Sequence, residues 1–156
     1  MIDDMEQQYQ YDFIERTQKL LEQYDKQLLQ EEERFEVTLL LNACIGLLFI
    51  CREKYNDQFP TSATHFDTIQ SATKIETDKS LSNICRHIRN SIAHCNFELN
   101  SAAGKISSIT FKDYPIGNCD VGKENFELTV SVNTLRAFLL DVSTQTVNSI
   151  KQHPQK

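Results

Sequence analysis

The stretch Ser80-Leu81-Ser82-Asn83-Ile84-Cys85-Arg86-His87-Ile88-Arg89-Asn90-Ser91-Ile92-Ala93-His94-Cys95-Asn96-Phe97 decides how the rest of the chain is read. With Ile88 at the centre of a helical wheel and a step of about 100° per residue, Leu81, Ile84, Cys85, Ile88, Ile92 and Cys95 fall in one apolar sector. That sector predicts a helix packed on a core by one face, capped by Asp78 or Ser80 and running to about Phe97. Its opposite side collects Arg86, His87, Arg89, Asn90, Ala93 and His94, a concentration of cationic and proton-transferring groups expected to face outward.

Working outward from this helix, Lys105–Phe111 and Asn125–Val132 are β-rich. The second alternates, with Phe126, Leu128, Val130 and Val132 on one face, so the two stretches are expected to pair as a hairpin. The connection from Asp113 through Pro115 and Gly117 to Gly122 reads as turn. Asn133 is the expected cap of a last helix, with Leu135, Phe138, Leu139, Val142 and Ile150 as its buried stripe. On the other side, Tyr9, Phe13, Ile14, Leu20, Leu21, Tyr24 and Leu28 recur at helical spacing and predict a long first helix over Met5–Gln30. After the charged run Glu31–Arg34, the stretch Phe35–Tyr55 is apolar on nearly every side and should be the central helix. The polar segment between, with Phe59-Pro60, predicts a turn and a short helix over Phe66–Ile75. The expectation is a mainly α fold in a single domain over residues 1–156, with a hairpin set between the polar-faced helix and the C-terminal one.

Composition bounds the function. A net charge of −6 opposes general coating of a polyanion, so any RNA contact has to be local. The five cysteines, Cys44, Cys51, Cys85, Cys95 and Cys119, form no C-x-x-C pair, and four lie in apolar helical patterns. They read as small buried hydrophobes in a reducing cytoplasm, with no metal implied. The acidic start Met1-Ile2-Asp3-Asp4 lacks the form of a secretory signal. Val37–Cys51 is too short to cross a bilayer, so no membrane association is expected.

Arg89 and His94 are five residues apart, about 140° around a helix, and flank a strip holding Asn90 and small Ala93. A second copy of the helix packed across that strip by two-fold symmetry would bring both copies' Arg and His into one cleft. Histidine titrates near neutrality and can take a proton from a ribose 2′-hydroxyl. Arginine can hold the phosphate and the charge that builds on it. Arg86 and His87 would form a basic rim in contact with substrate. A solvated helix end, with cations complementing the dipole, accounts for the same spacing without chemistry.

The run Ile88-Arg89-Asn90-Ser91-Ile92-Ala93-His94 resembles the R-x4-H signature of the HEPN superfamily, and the order of elements is similar to that of its small stand-alone bacterial and plasmid nucleases. The resemblance implies an antiparallel helical bundle and a homodimer with a composite site, Arg89 and His94 catalytic and Asn90 orienting them or contacting substrate. It implies metal-independent endoribonuclease activity without a cofactor, in a toxin or antiviral effector, and an antitoxin or regulatory protein as a possible partner. The alternative is a non-catalytic HEPN module that binds nucleotides or a partner protein.

Overall fold

The computed structural model describes residues 2–27, 36–75, 78–117, 120 and 122–153. Leu28, the Glu31–Arg34 run and Cys119, all used above, lie outside them. The chain resolves into two compact units, one formed by residues 1–59 with 139–156 and the other by residues 60–138. The fold is mainly helical, with one small antiparallel sheet.

The first unit opens with α1 (Ile2–Gln27). Of the apolar stripe expected on it, Ile14 and Leu21 are buried, whereas Tyr9, Phe13 and Leu20 stay exposed. The expected central helix is continuous in course but changes pitch. It begins as α2 (Glu36–Cys44), widens into a π-helical turn over Ile45–Phe49 and resumes as α3 (Ile50–Lys54). Gly46 lies in the wide turn, where a Cβ would come within 2.7 Å of Phe13 Cε1. Hydrogen alone at this position allows the α1 ring to lie against the backbone. Leu40, Leu47, Leu48 and Cys51 bury the inner face, and burial pushes the Cys51 thiol up to about 12. Cys44 and Cys85 are buried likewise, consistent with inert core thiols, but Cys95 is exposed.

The second unit holds α4 (Phe66–Ala72), which buries Phe66 and Ile69, and then α5 (Leu81–Ala93), the helix on which the reading above turned. Ser80 caps α5: its Oγ accepts from Asn83 N at 3.3 Å, and Asp78 holds Ser80 through Oδ1 to the backbone N and Oδ2 to the hydroxyl, each at 2.7 Å. The expected extension to Phe97 does not occur. Cys95 takes φ 57, its N–H reaches Ile92 O at 3.1 Å, and Asn96 N–H reaches Ser91 O at 2.7 Å. This pair of bonds closes the helix in a Schellman turn with cysteine where glycine is usual. Cys95 therefore leaves the apolar sector assigned to it, while Leu81, Ile84, Cys85, Ile88 and Ile92 are buried as expected.

The chain continues directly into β1 (Phe97–Ala102), then β2 (Lys105–Asp113) and β3 (Phe126–Ser131), a meander in the order β1-β2-β3. The expected pairing is its β2–β3 half, and β1 is an additional strand. Ala103 and Gly104, both at positive φ, make the two-residue turn between β1 and β2. Ile109, Phe111, Phe126, Leu128 and Val130 are buried on one face, against which α5 packs through β2. Asp113, read as the start of a turn, ends β2 and pairs with Phe126. Helix α6 (Val132–Gln152) starts one residue earlier than the cap assigned to Asn133. Ser131 Oγ accepts from Thr134 N at 3.1 Å and takes that role.

Candidate functional site

Register puts a carboxylate beneath α5. Residues directly opposite in an antiparallel pair share a face, so Asp113 and Phe126 both present their side chains to the helix. The ring of His87 lies flat on Phe126, centroids 4.8 Å apart and planes within 7°. Its Nδ1 is 2.7 Å from Asp113 Oδ2, and Asn90 Nδ2 donates to the same oxygen at 3.0 Å. His87 is only 4% exposed, which corrects its placement on an outward face: an acid from β2 and an aromatic from β3 make its burial tolerable. The Asp113 carboxyl lies below the usual carboxylate range. Burial by itself would raise it, but hydrogen bonds from His87, Asn90 and the Tyr114 backbone N–H outweigh that effect.

Arg86 Nη2 lies 3.0 Å from His87 Nε2. A guanidinium can only donate, so Nε2 is the acceptor, and the ring proton sits on Nδ1, where it is donated to Asp113. Arg86 is held from the other side by Asn83 Oδ1, which accepts from Nε at 3.1 Å and Nη2 at 2.9 Å. The chain of contacts Asn83, Arg86, His87, Asp113, Asn90 thus spans two turns of α5 and locks them to the sheet.

The motif pair occupies the end of the helix. Arg89 is half-buried in the last full turn. His94 is the C-cap residue, exposed, and its own N–H bonds to Asn90 O and Ile92 O. The Schellman closure fixes its backbone, while the imidazole has no hydrogen-bond partner among the described residues. Ala93 beside it is exposed. The structure therefore gathers Arg86, His87 and Asn90 around Asp113 and leaves His94 at the surface as a separate group. Among the described residues no cluster of His, Cys, Asp and Glu is arranged to hold a metal ion, and no helix is long and apolar enough to cross a membrane.

The family model described as HEPN pEK499 p136 matches residues 2–153. The chain belongs to this HEPN family. No curated protein and no solved structure gives a match. In this HEPN chain, Asp113 is the site-forming residue that the sequence reading missed. The available signal was an acid at the end of an alternating apolar strand, one residue beyond Lys112 and on the same face as Ile109 and Phe111.

Proposed function

We propose that the chain is a metal-independent endoribonuclease of HEPN type, a single domain that works in the cytoplasm as a homodimer with a composite site. One observation carries the reading: the motif His94 is exposed at a helix end whose backbone is clamped, with small Ala93 beside it and Arg89 in the turn before. A second copy apposed across Ala93 by two-fold symmetry would bring two Arg and two His into one cleft. His94 takes the 2′-hydroxyl proton, the 2′-oxygen bonds to phosphorus, the bond to the 5′-oxygen breaks, and the second copy's His94, entering the step as the imidazolium, gives its proton to that oxygen. Arg89 holds the non-bridging oxygens as charge builds on them. Asn90, tied to Asp113, orients the turn that carries Arg89. A toxin or antiviral effector restrained by an antitoxin or regulatory protein fits this activity.

The experiment is RNA incubated with the purified chain in EDTA. The expected products carry a 2′,3′-cyclic phosphate and a free 5′-hydroxyl, and DNA of the same sequence stays whole. Loss of cleavage with chelator, or 5′-phosphate ends, overturns the assignment.

Light scattering is expected to return a dimer at micromolar concentration. Activity from a strictly monomeric chain would remove the composite site. The acidic net charge of −6 favours the second reading, a non-catalytic HEPN module that meets a partner protein through the same helix end. Undegraded RNA at a full excess of dimeric protein would favour it.

A further inference from the structure

A cleft of about 910 Å³ opens beside Arg86 and His87, away from the helix end that carries His94. It is polar, and it falls in the size range of small-ligand sites. Lys74, Lys79, Arg86 and Lys123 line it, four cations in a chain whose net charge is −6. Of the carboxylates there, Glu127 is neutralised by Lys74 Nζ at 2.6 Å, and Lys123 Nζ lies 3.8 Å from Asp120 Oδ2 at the cleft's edge, which leaves Arg86 and Lys79 as the cations that face it without a carboxylate among the described residues. The same Lys74 is held by backbone pairing with Glu127, N to O at 2.8 Å and 3.0 Å, which fixes that wall to β3.

Two features point to a ligand. The first is Arg86. Nε–H and both hydrogens of Nη2 are occupied by Asn83 and His87, so the fork is already aimed, and among the described residues the two N–H groups of Nη1 are left for an anion. His87 in turn owes its orientation to Asp113 and Phe126, so the arginine is positioned by a relay that begins in the sheet. The second is Glu124, which also lines the cleft: its Oε2 is buried with no hydrogen-bond partner among the described residues. A buried carboxylate oxygen without a donor is costly, so the carboxyl gains by turning into the cleft to meet a ligand hydroxyl.

An anion beside a hydroxyl describes a sugar phosphate. We propose that the cleft binds a ribose phosphate, with the phosphate on Arg86 and Lys79 and a ribose hydroxyl donating to the Glu124 carboxyl once it turns into the cleft. That this ribose phosphate belongs to an RNA strand rests on the ribonuclease reading above; the binding chemistry itself does not. In a strand, the site would grip a nucleotide outside the scissile position, because Arg86 lies one turn before Arg89 on the same helix. Asp113 then serves both places, since the oxygen that orients His87 also holds Asn90.

Calorimetry on the full chain at low salt tests this with ribose 5-phosphate, inorganic phosphate and ribose as separate titrants. Affinity should fall in that order. Arg86→Gln should weaken ribose 5-phosphate by about tenfold or more, and Lys79→Gln should weaken it as well, so the test survives if the Arg86 variant fails to fold. Glu124→Gln should erase the advantage of ribose 5-phosphate over inorganic phosphate. An RNA pentamer that binds the His94→Ala chain more tightly than ribose 5-phosphate, with the same loss on Arg86→Gln, assigns the ligand to a strand. A pentamer that binds no better assigns it to a free sugar phosphate. Ribose 5-phosphate that gives no heat, or that binds the Lys79 and Glu124 variants as it binds wild type, overturns the site. A wild-type chain that binds ribose 5-phosphate but leaves RNA whole defeats the ribonuclease reading alone, and one that cuts RNA without binding it defeats the cleft alone.

Discussion

Replacing His94 by alanine is expected to lower the rate of RNA cleavage by about a hundredfold or more, the usual scale for removing a proton-transferring group. The substitution is clean on structural grounds. His94 contributes its backbone N–H to the α5 terminus, which alanine preserves, and its ring is exposed, so circular dichroism and thermal unfolding should match wild type. Arg89 calls for a different design because it is half-buried and has contacts of its own. Arg89→Lys keeps the charge but loses the planar fork, so it should reduce cleavage by at least an order of magnitude if bidentate phosphate binding matters. Single-turnover assays at saturating RNA separate this loss from weaker binding. Wild-type rates in both variants would move the chemistry away from the motif.

The core of this fold was legible because it is written in local periodicity. Leu81, Ile84, Cys85, Ile88 and Ile92 repeat at helical spacing, Phe126, Leu128 and Val130 alternate, and each set is buried where that pattern puts it. What stayed hidden was punctuation by unusual residues. The Schellman turn that ends α5 uses Cys95 at φ 57, and the β1–β2 turn uses Ala103 at φ 51 before Gly104. With neither an Asn-Gly nor a terminal glycine to mark them, the helix reads on to about Phe97, no element is expected over Glu98–Ala102, and β1 is missed. The motif positions Arg89, Asn90 and His94 stand out through their resemblance to the R-x4-H signature, since spacing by itself fits a solvated helix end equally well, but no such resemblance gives the surroundings of His87. Its carboxylate partner is 26 residues away, and only the β2–β3 register brings Asp113 and Phe126 to the same place under the helix. On a wheel His87 looks like one more polar residue on an outward face. Burial by long-range partners is not a periodic property, so no reading of α5 by itself recovers it.

Those partners carry the second large effect. Asp113→Ala is expected to destabilise the fold by about 3–5 kcal/mol, because it strips the acceptor from one buried and two part-buried donors at once. His87 Nδ1–H, Asn90 Nδ2 and the Tyr114 N–H all point at its two oxygens, and the His87 ring, stacked on Phe126, cannot turn to water. Asp113→Asn keeps one oxygen acceptor and should recover part of the loss. The two variants also separate charge from shape through pH. The folded carboxyl is held below its ordinary value, so it contributes stability that is fully present above its unfolded value, about 3.9, and that is lost as pH falls through the folded value. Wild type should therefore lose stability on acidification below about pH 4, whereas this component of the slope should vanish in Asp113→Asn. Urea midpoints measured at pH 7, 5, 4 and 3 give the comparison. Parallel curves for the two proteins would mean that the charge on Asp113 does not contribute and that its oxygens act only as neutral acceptors.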